Sequence, residues 1–256
     1  MILVHLSDFH CGKNDFIPRA LETATKEIND LKPDVIVITG DITDNGFIDE
    51  YELAARYLEK FECDNVIIGS GNHDYKHTGF LLWEHFFPRT EMVTVGNVFI
   101  AHLRTARPDR DTGEVGYRQL IWFSEVLRKN EDKFKIVLQH HHLTPIPDTG
   151  MEQNIIVDAG DALRTLIEGG AHLVLCGHKH RPWRTSVEGL SVVNAGSVSS
   201  RKLRGFFSNS YNIIETEGDS FKVELKIVGG GRIDLERIKS GYMAIPPRNA
   251  GRERFV

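Results

Sequence analysis

Five short fragments of this chain place His, Asp and Asn side chains directly behind apolar runs: Asp8-Phe9-His10, Gly40-Asp41-Ile42-Thr43-Asp44, Gly71-Asn72-His73-Asp74, His140-His141-His142 and Gly177-His178-Lys179-His180. Imidazole, carboxylate and amide oxygens are together the donors of a metal site. A single Asp-x-His or His-x-His is a weak signal, since surface loops and satisfied core histidines produce both. The shared context changes that. Met1 to Leu6, Val35 to Thr39, Val66 to Ile68, Phe134 to Leu138 and Leu173 to Cys176 are short runs rich in Val, Ile and Leu. Separated by helical patterns, they read as buried parallel strands. In such sheets ligands bind beyond the carboxyl ends of the strands, where all five fragments emerge. The implication is a centre that binds two metal ions and hydrolyses its substrate.

The spacing supports this. Residues i and i+2 of an extended segment point to one side, so Asp8 with His10, and His178 with His180, can each aim two donors at one place. Asp41 is placed to bridge two cations, and Asn72 offers a neutral carbonyl oxygen. Two divalent ions bring four positive charges, of which Asp8, Asp41 and a bridging hydroxide remove three. The site left net positive favours an anionic phosphate and its transition state. Donors of mixed hardness suit Mn²⁺, Fe²⁺, Zn²⁺ or Co²⁺ better than an all-oxygen Mg²⁺ or Ca²⁺ site.

The order and form of these fragments, D-x-H, G-D-x-x-D, G-N-H-D, H-H-H and G-H-x-H, resemble the calcineurin-like metallophosphoesterase superfamily. The resemblance runs from Ile2 to about Ser197, where Asn194-Ala195-Gly196-Ser197 is similar to a loop of small bacterial and archaeal members. Within the superfamily it is strongest to the compact group that includes class III cyclic nucleotide phosphodiesterases and glycerophosphodiesterases. It implies a four-layer α/β/β/α sandwich of two mixed sheets flanked by helices. It also implies one metal held by Asp8, His10, Asp41 and His180, and a second held by Asp41, Asn72, His178 and one histidine of the 140–142 cluster. Alignment on Leu143 points to His140, with His141 the other candidate and otherwise a substrate contact. The metals implied are Mn²⁺ and/or Fe²⁺/Fe³⁺, with Zn²⁺ or Co²⁺ as further options. Asp44 stands where purple acid phosphatases carry tyrosine, so no coloured tyrosinate-iron site is expected.

The mechanism implied is attack on phosphorus by a metal-bridging hydroxide, in line with the leaving oxygen and without a protein nucleophile. His73, beside Asn72, would touch the phosphate and protonate the departing alkoxide, with Asp74 or Asp44 orienting its ring. Asn72, His73 and His141 are therefore the expected substrate contacts, and His73 and Asp74 the expected catalytic pair.

A chain of 256 residues with 41% hydrophobic composition can bury one substantial core. Helical spacing appears over Pro18 to Leu31, Asp49 to Phe61, Tyr117 to Leu127 and Ala162 to Ile167. Strand patterns over Leu190 to Val193, Tyr211 to Glu215 and Phe221 to Ile227 read as a meander. Residues Arg104 to Arg118 and Leu143 to Asp158 are loops fit for a pocket rim. Cys11, Cys63 and Cys176 form no Cys-x-x-Cys pair, which points to a reducing cytoplasm. The chain opens on its first strand without a signal-like segment, and no apolar run approaches the ~18 residues of a membrane span. A catalytic domain over 1–228 is expected, followed after Gly229-Gly230-Gly231 by a tail, 229–256, acting as an arm on the domain or strapping a homodimer.

Net charge −5 argues against a surface that tracks nucleic acid throughout. Lys179, Arg181, Arg184, Arg201, Lys202 and Arg204 nevertheless face the single acid Glu188 within one stretch. It reads as a solvated basic face or as recognition of extra phosphates. The function expected is a phosphodiesterase for a small diester such as a cyclic nucleotide. A nuclease or phosphomonoesterase on the same site is the alternative, and a catalytically silent metal-binding scaffold is the alternative of another class.

Overall fold

A computed structural model of the chain describes residues 1–12, 14–87, 91–150, 155–205 and 207–238. In chain order the first half contains β1 (Ile2–Leu6), α1 (Pro18–Leu31), β2 (Val35–Ile38), α2 (Ile48–Leu58), β3 (Val66–Ile68), α3 (Gly79–Phe86), β4 (Met92–Val95) and β5 (Val98–His102). Then come α4 (Tyr117–Arg128), β6 (Phe134–Leu138), α5 (Ala159–Glu168), β7 (Leu173–Cys176), β8 (Trp183–Val187), β9 (Leu190–Asn194), β10 (Ser210–Glu217), β11 (Ser220–Ile227) and β12 (Arg232–Asp234). They form two six-stranded mixed sheets, ordered β12-β11-β10-β1-β2-β3 and β4-β5-β6-β7-β9-β8.

Alternation along the strands builds the layers. Val35 and Val37 of β2 face the second sheet, while Ile36 and Ile38 face α1 and α2. In β6, Phe134, Ile136 and Leu138 enter the inter-sheet core and Val137 packs towards Phe123 and Leu127 of α4. Each inner strand is thus apolar on both faces, and helix, sheet, sheet and helix stack as the four expected layers. Truncating a buried residue such as Ile136 to Ala costs about 2–5 kcal/mol by transfer and cavity terms. α1 begins on Pro18, whose fixed φ suits a first helical position, and ends at Lys32 in a left-handed conformation with φ 52°.

β12 and the short 3-10 turn that follows it, Leu235–Arg237, carry Leu235 and Ile238 into the inter-sheet core. The packed domain therefore continues past residue 228, through the glycine triplet. Residues 239–256 of the expected arm lie outside the described residues. α3, β4, β5, β8 and β12 are not among the elements expected from the sequence; β5 is a buried apolar strand, Val98–His102, while β4 and β8 are largely half-exposed edge strands, where periodicity is weakest.

Register positions the site. Leu6 pairs with Ile38, Ile38 with Ile68, and Leu138 with Leu175, so the parallel strands end flush in each sheet. The loops beyond them are stapled by backbone bonds, among them Asp8 N to Gly40 O (3.0 Å), His10 N to Asp41 O (2.9 Å) and Gly177 N to His140 O (2.9 Å).

Candidate metal centre

The loops leave their strands through strained backbone. Asp8, His10, Asp41, His178 and His180 all have left-handed φ, between 51° and 72°. For residues with a Cβ this costs roughly 1–3 kcal/mol each, and such strain concentrates at functional sites. It also corrects the extended-strand argument for Asp8/His10 and His178/His180. Their side chains converge because the chain turns sharply at each of them. Glycines allow the close approach: a Cβ on Gly71 would overlap the Asp41 carboxylate, and one on Gly177 would overlap the Ser7 hydroxyl.

Asp8, His10, Asp41 and His180 form one buried cluster of donor atoms. His10 Nδ1 lies 3.3 Å from the Asp44 carboxylate, and His180 Nδ1 bonds the Lys202 carbonyl. Both acceptors fix a ring proton on Nδ1, so the two Nε2 atoms face each other at 2.9 Å. His180 Nε2 is also 3.2 Å from Asp8 Oδ1, and His10 Nε2 3.7 Å from Asp41 Oδ2. Two imidazole nitrogens and two carboxylates converging in a buried space need positive charge among them, which a proton on His180 or a metal cation supplies.

The second group repeats the pattern. His140 donates from Nδ1 to the Thr39 carbonyl (2.7 Å) and turns Nε2 towards Asp41 Oδ2 (3.3 Å) and Asn72 Oδ1 (3.1 Å). His178 Nδ1 is 3.0 Å from Asn72 Oδ1 and 3.3 Å from His140 Nε2. The Asn72 amide nitrogen points away, 3.3 Å from Asp111 Oδ1, which turns its oxygen inward. Asp41 faces both groups. Imidazole held at one nitrogen by a carbonyl or carboxylate, with the other nitrogen presented among oxygens, is how metal-ligating histidine is oriented. The donor set fits two divalent cations sharing Asp41.

Electrostatics agree with the geometry. Burial lowers His10 to about 4, and burial with neighbouring imidazoles holds His178 well below its ordinary range, so both present lone pairs at neutral pH. Against the cost of burial, the Asp41 carboxylate raises His140 to about 9, and Asp8 raises His180. Each group thus pairs a proton-free imidazole with one whose protonated form a neighbouring carboxylate favours, and a cation bound there displaces that proton.

Two expectations are corrected. Asp74 does not orient His73: it is fully buried, with Oδ1 accepting from Thr43 N (2.8 Å) and Thr43 Oγ1 (2.9 Å) and Oδ2 from Gly71 N (2.8 Å). It ties two ligand loops together. His141 is not a substrate contact either. Its Nε2 donates to Asp111 O (3.1 Å) and its Nδ1 accepts from Thr105 Oγ1 (2.9 Å), so both nitrogens are used in a fully buried bolt under the Asp111 loop. That leaves no lone pair for a metal and separates it from His140. Proximity alone would admit His141 to the second group, beside His140 and His178; its hydrogen bonds exclude it.

His73 and Asn72 both line a cleft of about 470 Å³ that also contains Lys76, Asp111, Lys179, Lys202 and Arg204. His73 N bonds Asp41 Oδ1 (2.8 Å), and its Nδ1 lies 2.6 Å from the Asp44 carbonyl and 2.7 Å from Lys76 Nζ. Nδ1 either donates to the carbonyl or accepts from the ammonium. In both cases Nε2 is the nitrogen left for substrate. Asp111 and Lys76 escape the sequence reading; Lys76, one helical turn after His73, is the more visible of the two. The loop carrying Asn194 to Ser197 secures the strand ends, through Asn194 Nδ2 to Gly177 O (3.0 Å) and Ser197 Oγ to Asp8 O (2.6 Å). Cys11 is buried and burial pushes its thiol up, so it supplies no thiolate.

Residues 1–182 match the family described as calcineurin-like phosphoesterase. A probable glycerophosphodiester phosphodiesterase of Arcobacter nitrofigilis is 30% identical over 217 residues, covering 78% of this chain and 79% of its own. A cAMP/cGMP dual specificity phosphodiesterase of Mycobacterium tuberculosis is 27% identical over 218 residues, 77% of this chain and 67% of its own. Among solved structures, PhoD has a TM-score of 0.61 at 14% identity, covering 88% of this chain and 65% of its own. The anchor in the inner membrane complex of Plasmodium has a TM-score of 0.65 at 12% identity, covering 94% and 90%. These two establish the fold alone. The family match, extending over all five donor-bearing loops, shows that the chain belongs to the calcineurin-like phosphoesterases.

Proposed function

We propose that this chain is a dinuclear metal-dependent phosphodiesterase that hydrolyses a small diester such as a cyclic nucleotide. The observation that carries the reading is the convergence of His10 Nε2 and His180 Nε2 on the carboxylates of Asp8 and Asp41, a buried geometry that a bound cation stabilises. The relatives named as cyclic nucleotide and glycerophosphodiester phosphodiesterases support the substrate class.

We assign Asp8, His10, Asp41 and His180 to one ion, and Asp41, Asn72, His140 and His178 to the other. Imidazole-rich donor sets with carboxylates favour Mn²⁺ or iron, with Zn²⁺ or Co²⁺ also accommodated. Bound, the pair supplies Lewis-acid charge to the phosphoryl oxygens and acidifies water. The protein supplies the rest. His73 delivers a proton from Nε2 to the departing oxygen, its ring held at Nδ1 either by the Asp44 carbonyl or by the Lys76 ammonium. Asp111 orients the Asn72 amide, and Asp74 keeps the Asp41 and Asn72 loops together. The free cysteines suit a cytoplasmic setting, and no helix among the described residues is long and apolar enough to cross a membrane.

The test is hydrolysis of bis-p-nitrophenyl phosphate against p-nitrophenyl phosphate by Mn²⁺-loaded protein, with 2′,3′- and 3′,5′-cyclic nucleotides in parallel. Diester preference with cyclic nucleotide cleavage is expected. Monoester preference would reassign the activity, and metal binding without turnover on any ester would favour the scaffold.

A further inference from the structure

The basic stretch around residue 200 divides in the structure. Arg181 is buried, its guanidinium bonded to Asp148 (2.9 Å) and the Pro182 carbonyl (2.9 Å), and Arg184 pairs with Glu236. These two are structural. Lys179, Lys202 and Arg204 instead line the catalytic cleft, and Lys76 joins them from the His73 loop.

Their placement is one-sided. Lys76 Nζ is 2.7 Å from His73 Nδ1, and Lys202 Nζ is 3.6 Å from Asp44 Oδ1, whose residue also accepts from His10 and His73. Leu203 and Arg204 follow directly. Lys76 and Lys202 therefore stand at the His73 end, with Arg204 two residues further along the cleft lining, while the Asn72 end meets the carboxylate of Asp111. Lys202 is partly neutralised by Asp15 (3.0 Å) and Asp44. Lys76 touches only neutral acceptors, and Arg204 is exposed; neither has a carboxylate partner among the described residues.

This charge exceeds what a simple diester needs. Such a substrate carries one negative charge at the scissile phosphorus, which two divalent ions offset by Asp8 and Asp41 already over-neutralise. Unpaired cations in the same cleft call for a second anion.

Resting on the phosphodiesterase reading, we propose that Lys76 and Arg204, with Lys202 behind them, form a phosphate subsite for the leaving group, so that the preferred substrate carries a second phosphoryl group on the fragment that departs past His73. In that hydrolysis the oxygen of water bonds to the scissile phosphorus and the P–O bond to the leaving group breaks. Its electron pair passes to the departing oxygen, which takes one proton from His73 Nε2, and the water's protons restore His73 and enter solvent. A diphosphate diester and a short oligonucleotide both present such a group, at different distances.

The test compares kcat/KM of Mn²⁺-loaded protein on a dithymidine dinucleotide with and without a terminal phosphate, and on diadenosine diphosphate, with bis-p-nitrophenyl phosphate as reference. The expected result is a preference of about tenfold for the phosphorylated member or for the diphosphate, the size of one charge-assisted contact. It should shrink with added salt, fall towards unity in Arg204→Gln and return in Arg204→Lys. The exposed position of Arg204 keeps these variants folded, and calorimetric binding of ADP against AMP should show the same loss without turnover. The arm that responds identifies the source of the second phosphate. Bis-p-nitrophenyl phosphate turnover with no preference and no response at Arg204 overturns the subsite and leaves the phosphodiesterase reading standing. No turnover of any diester overturns both.

Discussion

The two donor groups of the centre are built alike and charged differently. The first gathers Asp8, His10, Asp41 and His180, two carboxylates with two imidazoles. The second shares Asp41 but adds the neutral amide of Asn72 and the imidazoles of His140 and His178. Each also straddles the molecule. The loops of the β1-β2-β3 sheet provide the oxygens and His10, and the loops after β6 and β7 provide the other three imidazoles. Neither sheet holds a complete site, so the centre depends on the inter-sheet core, and the second group is the more electron-poor and the better placed to polarise an anionic phosphate.

The severest break is at the shared residue. Asp41→Ala should remove both ions and all metal-dependent turnover, measured by metal analysis and diester hydrolysis; one ion retained would show that the groups are independent. Next, His73→Ala should lower kcat by about 10²–10⁴-fold, the usual contribution of a general acid, with both ions still bound. A smaller effect belongs to Asp111→Asn, which disturbs only the orientation of the Asn72 amide. Metal affinity of the second group should fall roughly 10–100-fold with the first unchanged, so titration should separate two steps that overlap in the parent chain.

The subtlest effect is in pH and involves both groups. His140, raised to about 9 by Asp41 against the cost of burial, carries a proton at pH 7 in the metal-free protein. A metal at Nε2 must displace it, so affinity of the second group rises with pH up to about 9 and falls below it. In the first group His10, lowered to about 4 by burial, has none to lose at that pH, while Asp8 raises His180, so proton release is shared between the groups. Calorimetry in buffers of different ionisation enthalpy should register net proton release at pH 7, diminishing towards pH 9.

Much of this was legible in the sequence because the motif residues follow buried strands, and strands with two apolar faces leave a plain signal. β2, with Val35 and Val37 on one face and Ile36 and Ile38 on the other, is the clearest instance. The flush strand ends and the convergence of the five loops follow from that pattern. Other features act through space. Asp111 reaches Asn72 from a rim loop 39 residues away, and the Thr39 and Lys202 carbonyls that fix His140 and His180 are backbone atoms any residue would supply. Asp74 and His141 mislead for a related reason: proximity in sequence to a donor says nothing of direction, and both side chains turn to other partners, Asp74 to Thr43 and Gly71 and His141 to Thr105 and Asp111. β12 escapes notice because a glycine triplet signals an end, whereas here it is the turn into an edge strand.

The central claim is that two cations share Asp41. Electron paramagnetic resonance of the Mn²⁺-loaded chain, read alongside metal analysis, tests it most directly. The account predicts two ions per chain with an exchange-coupled spectrum; a single ion, or two giving only the uncoupled six-line signal, would contradict it.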